Sequence, residues 1–158
     1  MVKVIIREIR AEDREKVCKV LTSSFKGKEL YWALKDLEYT YVVVAEAEGE
    51  IVGVMELYEV LGENIGSIGV IDYLAVSPPF RRKGIGSRLV NYAEKLFKMW
   101  SNDFSAASTK SSNIASMRLF RKLGYEEIRE GDNRYQVLKW ALYAYEDDVI
   151  FLKEIREV

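Results

Sequence analysis

The stretch DYLAVSPPFRRKGIGSRL, Asp72 to Leu89, decides how this chain folds. It opens as an apolar strand ending at Leu74, Ala75 and Val76, with one charge, Asp72, set inside it. Pro78 and Pro79 stop that strand, because proline has no N–H to give a sheet ladder. A basic turn follows, and then a helix whose apolar stripe is Ile85, Leu89, Ala93, Leu96 and Trp100, widened by Val90 and Phe97. Gly84 and Gly86 let the backbone bend and approach a ligand without a Cβ in the way. The first N–H groups of a helix have no internal acceptor and carry the positive end of its dipole. With Arg81, Arg82 and Lys83 beside them, the residues through Ser87 form a site suited to an anion such as a pyrophosphate. The same string also reads as a plain helix start with solvated basic residues; the strand and proline stop ahead of it favour the anion site. A P-loop string is absent. A dinucleotide fingerprint would need a third glycine where Leu89 stands, and would place the turn after the first strand rather than in mid-chain.

Working outward, Val2–Ile9 reads as a strand, and Val17, Val20, Leu21 and Phe25 recur at helical spacing after the acidic first turn of Glu12 and Asp13. A short second helix is expected over Glu29–Leu37. Tyr39–Ala47 and Ile51–Val60 are rich in Tyr and Val and flank Glu48-Gly49-Glu50, a hairpin signature. A further turn at Leu61–Asn64 leads into the strand Ser67–Val76. After the helix come a small-residue strand, Phe104–Thr109, and a helix capped by Asn113 and ended by Gly124. Tyr125–Ile128 is a strand, Asp132–Tyr145 has helical spacing, and Val149–Leu152 closes the chain as a buried strand. The expected fold is α/β (α+β mixed), with one mixed sheet and helices packed on it, in a single domain spanning 1–158.

Composition narrows the chemistry. The chain has 158 residues, 49% of them apolar, enough for a packed core. Lys and Arg number 24 against 25 Asp and Glu, so no net basic charge argues for nucleic acid. With no histidine, His bases, His triads and His-ligated zinc are excluded, and no carboxylate spacing resembles a metal site. The lone Cys18 permits no internal disulfide, which makes the cytoplasm the expected compartment; it reads as a packed or idle side chain. No apolar run approaches membrane-spanning length, and the N-terminal stretch is charged too early for a signal peptide. Abundant Lys, Arg and Glu beside a single Gln hint at a thermophilic source.

Arg81, Gly84 and Gly86, spaced R-x-x-G-x-G after Leu74-Ala75-Val76, resemble the acetyl-CoA signature of the GNAT superfamily of N-acetyltransferases. Asn113, Phe120, Leu123, Gly124 and Tyr125 resemble the family's next motif, an Asn-led helix ending in Gly-aromatic. The element order agrees over nearly the whole chain. The resemblance implies a mostly antiparallel sheet of about seven strands, splayed in the middle where the strand of Leu74–Val76 parts from Phe104–Thr109. It implies acetyl-CoA as co-substrate, with its pantetheine arm on the backbone of Leu74–Val76. Its pyrophosphate would lie on the N–H groups of Arg82, Lys83, Gly84, Ile85, Gly86 and Ser87. Asn113 would contact the cofactor arm, with Phe120 following on the same helix.

Acetyl transfer to an amine then sets the remaining requirements. An alkyl ammonium has a pKa of roughly 10 and must lose a proton before it attacks. Without histidine the base is most simply a carboxylate: Asp72 first, then Glu56 and Glu59 on the preceding strand. Each of these also has a plain structural use, as a hydrogen-bonded or solvent-facing acid. The backbone N–H of Val76 would hold the developing oxyanion. Many relatives place a Tyr, which protonates the leaving thiolate, where this chain has Phe120. Tyr73 is the stand-in candidate, against a packing role. That departure keeps open an acyl-CoA-binding module without chemistry. A protein N-terminal acetyltransferase is a third possibility. Residues 132–145 could shape the acceptor site or a homodimer contact.

Overall fold

The structure, a computed structural model, describes residues 3–157. Its strands are β1 (Val4–Glu8), β2 (Tyr41–Ala47), β3 (Glu50–Gly62), β4 (Gly66–Val76), β5 (Phe104–Thr109), β6 (Glu126–Ile128) and β7 (Val149–Glu154). Its helices are α1 (Arg14–Ser24), α2 (Gly27–Asp36), α3 (Ile85–Met99), α4 (Ile114–Lys122) and α5 (Tyr135–Ala141). The strands form one mixed sheet in the order β1-β2-β3-β4-β5-β7-β6. The printed pairings are antiparallel for β1/β2, β2/β3, β5/β7 and β6/β7, and parallel for β4/β5. The parallel pairing covers four residues, Ile68↔Phe104 to Ile71↔Ala107, so Asp72 is the first β4 residue past it.

The described chain resolves into two compact units. One holds residues up to Leu57 with Asp72–Tyr92; the other holds Tyr58–Ile71 with residues from Ala93 onward. In the first unit, Val17, Val20 and Leu21 of α1 and Ala33 of α2 pack with Val42, Val44, Val54 and Ala75 from the strands. That is the 3.6-residue stripe meeting the alternate residues of a sheet. In the second unit, Ile68, Val70, Ala106, Ile150 and Leu152 pack with Leu138 and Leu142. Gly69 is there because α3 crosses it closely: a Cβ at that position would lie 2.1 Å from the Phe97 ring.

Several boundaries differ from the sequence reading. Val2 of the expected first strand lies outside the described residues. The first hairpin turns at Glu48 and Gly49, both with positive φ. β3 runs through Gly62 rather than stopping at Val60, since only Glu63–Ile65 make the turn, closed by Ile65 N–H to Gly62 C=O at 3.0 Å. The helix expected over 132–145 shrinks to Tyr135–Ala141. Asp132 is drawn into bonds with Arg134, and Tyr143 takes a left-handed φ of 55°, which ends the helical run.

Candidate active site

The cationic turn belongs to the first unit. Ser77 N–H donates to Val52 C=O at 2.8 Å, fixing the end of β4 to β3. Pro78–Phe80 form a single 3₁₀ turn. The Arg81 guanidinium donates to Val76 C=O at 2.8 Å and to the Ser24 hydroxyl at 3.1 Å. It therefore braces the turn against the end of α1, and its side chain is committed to structure. Arg82 has φ 62° and Gly84 has φ 82°, a left-handed alternation that curls successive N–H groups toward one side. Nothing lies within 4 Å of where a Gly84 Cβ would stand. The first helical donor is Arg88 N–H, to Gly84 C=O at 3.1 Å, so the N–H groups of Ile85, Gly86 and Ser87 have no helical acceptor. Arg82 and Lys83 are exposed, with the Lys83 ammonium 5.9 Å from the Phe80 ring centre. Open backbone donors, a helix start and two free-standing cations fit a pyrophosphate.

The carboxylates sort themselves by unit. Glu56 and Asp72 share the first; Glu59 falls in the second, where its carboxylate accepts from Asn102 Nδ2 at 2.7 Å. Alternation allows Glu56 to face solvent, but β3 is covered on both faces from Ile51 to Leu57, and Glu56 is 0% exposed. Its Oε2 has no hydrogen-bond partner. Its Oε1 lies 3.4 Å from the Thr40 hydroxyl, whose single proton already goes to Asp36 C=O at 2.8 Å. Burial, then the charges of Asp72 and Asp36, push the Glu56 carboxyl up to about 9, with Thr40 opposing weakly. Of the two acids, Glu56 is fully buried and Asp72 half-buried.

Tyr73 packs edge-on against Phe25, with ring centres 5.4 Å apart, on the same core cluster as Ala33. Burial first, and then Asp72, Asp36, Glu56 and Glu29, hold its phenol well above the usual range. Leu74 and Val76 are half-buried, and Ala75 is in the core.

Asn113 and Phe120 lie in the second unit. Asn113 caps α4 by accepting from Ser116 N–H at 3.2 Å. Phe120 is 4% exposed, stacked on Phe151 at 5.3 Å and edge-on to Tyr125 at 5.1 Å. Tyr125 is buried, and its hydroxyl sits 2.7 Å from Ser105 Oγ and donates to Glu94 at 2.9 Å, while Lys153 donates to the same carboxylate at 3.0 Å. This network ties β5 and β7 to Glu94 of α3 within the second unit. Trp140, Tyr143 and Tyr145 are exposed and touch edge-on. Thr40, which the sequence analysis did not single out, links the end of α2 to Glu56 through its hydroxyl. Among the described residues no helix is long and apolar enough to cross a membrane.

A profile of the acetyltransferase (GNAT) family matches residues 5–125. A probable N-acetyltransferase, HLS1-like, from Arabidopsis thaliana is 28% identical over 127 residues, covering 80% of this chain and 28% of its own length. The chain thus spans little more than a quarter of that relative. An acetyltransferase of the GNAT family from Staphylococcus aureus Mu50 superposes with TM-score 0.78 at 16% identity, covering 98% of this chain and 100% of its own. The PaiA N-acetyltransferase of Thermoplasma acidophilum, solved in complex with coenzyme A, gives TM-score 0.71 at 17% identity, covering 96% of this chain and 99% of its own.

Proposed function

The chain belongs to the acetyltransferase (GNAT) family, and from that premise we propose that it transfers an acetyl group from acetyl-CoA directly onto a primary amine. The observation that carries this reading is the turn Arg82–Ser87, where backbone N–H groups, a helix start and exposed cations meet with open space over Gly84. There the diphosphate of coenzyme A finds donors without desolvating a paired charge. The pantetheine arm follows the backbone of Leu74–Val76, and the Val76 N–H takes the oxyanion. Arg81 serves by bracing the turn rather than by touching phosphate. Asn113 contributes to the cofactor arm while capping α4, and Phe120 supports that helix from the core.

Asp72 is the base. It is a half-buried carboxylate on β4, just past the last residue paired with β5, and it accepts a proton from the incoming ammonium, directly or through water. The amine nitrogen then bonds to the acetyl carbon, the carbon–sulfur bond breaks, and the thiolate leaves with the electron pair. The thiolate takes a proton from water. Tyr73 is a poor donor for it, because burial first, and then the neighbouring Asp72 and Asp36, hold its proton tightly. Net, one ammonium and one acetyl-CoA give one N-acetyl amine, one CoA thiol and one proton. Residues 1–158 serve this one activity.

A second reading, a domain that binds acyl-CoA without turnover, is favoured by Phe120, an inert core ring at the usual acid position. Acetyl-CoA turnover with mixed amines, followed by free thiol, separates the two. Binding of acetyl-CoA without thiol release supports the second, and thiol release with N-acetyl product supports the first. Amines presented on protein N-termini belong in the same screen.

A further inference from the structure

Past Ile71, the last β4 residue paired with β5, the strand needs another hold on the segment along which the pantetheine arm is proposed to lie. On one side β3 supplies it, since Ser77 N–H donates to Val52 C=O at 2.8 Å. A trans peptide is planar with its C=O and N–H opposed, so the Val76 carbonyl of that same peptide points away from β3. There it accepts from Arg81 Nε at 2.8 Å. The guanidinium also donates from Nη2 to the Ser24 hydroxyl at 3.1 Å. Ser24 is the last residue of α1, and the next residue, Phe25, stands edge-on to Tyr73 with ring centres 5.4 Å apart. The end of α1 therefore holds β4 at two points, Tyr73 by a ring contact and Val76 through Arg81. All of these residues lie in the first unit.

The consecutive hydroxyls at the end of α1 are put to different uses. Thr22 donates to Cys18 C=O at 2.8 Å and Ser23 to Val20 C=O at 2.6 Å, so both turn back on their own helix. Ser24 is half-buried and accepts instead from Arg81, 57 residues along the chain. A guanidinium is a rigid planar fork, so one acceptor fixes a direction and a second fixes its plane. With Nε on Val76 and Nη2 on Ser24, the fork resists swinging about its bond to the strand. The backbone around the Val76 N–H, assigned above to the oxyanion, is thereby pinned from β3 at Ser77 and from α1 at the Val76 carbonyl.

We infer that Ser24, on α1 and outside the glycine turn, is a positioning residue for acetyl-CoA: through Arg81 it holds the Val76 carbonyl and so fixes the backbone along which the pantetheine arm lies. This rests on the acetyl-CoA site proposed above. The test titrates acetyl-CoA, and separately adenosine 3′-phosphate 5′-diphosphate, into the full chain by calorimetry. The second ligand carries the diphosphate without the arm, so it reports whether the fold and the turn are intact. Ser24→Ala should weaken acetyl-CoA by about threefold to tenfold, as loss of one hydrogen bond to a charged group implies, and leave the armless ligand within about twofold of the parent. Ser24→Thr keeps the hydroxyl and should restore acetyl-CoA affinity, whereas Ser24→Val, of the same shape without it, should match Ser24→Ala. In Arg81→Gln, adding Ser24→Ala should change nothing further, because the effect runs through Arg81. Losses confined to acetyl-CoA, to the variants without a hydroxyl and to chains that keep Arg81 uphold the inference even if no amine is acetylated, in which case the acetyl-transfer reading fails alone. Acetyl-CoA affinity unmoved in Ser24→Ala, equal losses for both ligands, or additive losses in the double variant overturn it. A parent that does not bind acetyl-CoA overturns it together with the cofactor reading.

Discussion

Glu56→Gln separates a buried neutral acid from a buried charge. In the unfolded chain Glu56 ionises near 4.5, while in the fold it keeps its proton up to about 9. Between those values the folded state binds one more proton than the unfolded state, so stability falls as pH rises. Each pH unit in that window costs about 1.4 kcal/mol, so the loss from about pH 5 to about pH 7.5 is on the order of 3 kcal/mol. Glutamine has nearly the same shape and no titration, so the variant lacks this fall. Its amide brings two donors to a site where Oε2 of Glu56 has no hydrogen-bond partner, which costs on the order of 1 kcal/mol at every pH. The parent should therefore be equal or slightly more stable at pH 5, and the variant more stable at neutral pH and above. Urea unfolding of both proteins across that range measures the difference directly. Infrared spectra give a second check, since the stretch of a protonated carboxyl should be present in the parent at neutral pH and absent from the variant. Parallel stability profiles would show that Glu56 is ionised in the fold and would refute the reasoning.

Three further outcomes are expected. Gly69→Ala drives a methyl into the Phe97 ring and should cost about 2–3 kcal/mol in urea unfolding, with Phe97→Leu in the same chain restoring part of it; full stability of the single variant contradicts the packing. Asp72→Asn should lower thiol release by at least about 100-fold while leaving acetyl-CoA affinity within a few-fold of the parent; a parent-like rate at every pH removes Asp72 from the chemistry. Gly86→Trp places a large side chain among the first N–H groups of α3 and should abolish calorimetric acetyl-CoA binding with the unfolding midpoint little changed; retained affinity in a folded protein contradicts the turn as the diphosphate site.

The elements were largely legible because their periodicities are clean. The stripe of α3, the Tyr- and Val-rich strands and the Asn113 cap all read directly from local chemistry. The shape of the cationic turn was legible for the same reason, since glycine and proline set its backbone geometry. What failed to read depends on what lies above a residue. Glu56 interrupts an apolar run, but only the layers on both faces of β3 decide that it is buried and unpartnered. Arg81 matched the motif, yet its side chain is used for bracing, a choice set by Ser24 from a distant helix. The helix expected at 132–145 shows the converse, since ion pairs of Arg134 and a left-handed Tyr143 cut short a run whose spacing was helical throughout.

The most direct test mixes the full chain with acetyl-CoA and a panel of primary amines and follows free thiol and acetylated amine together. Transfer through the Arg82–Ser87 turn and Asp72 predicts one thiol released for every N-acetyl group formed. Thiol released without acetylated amine, or neither product from a protein that binds acetyl-CoA, would contradict it.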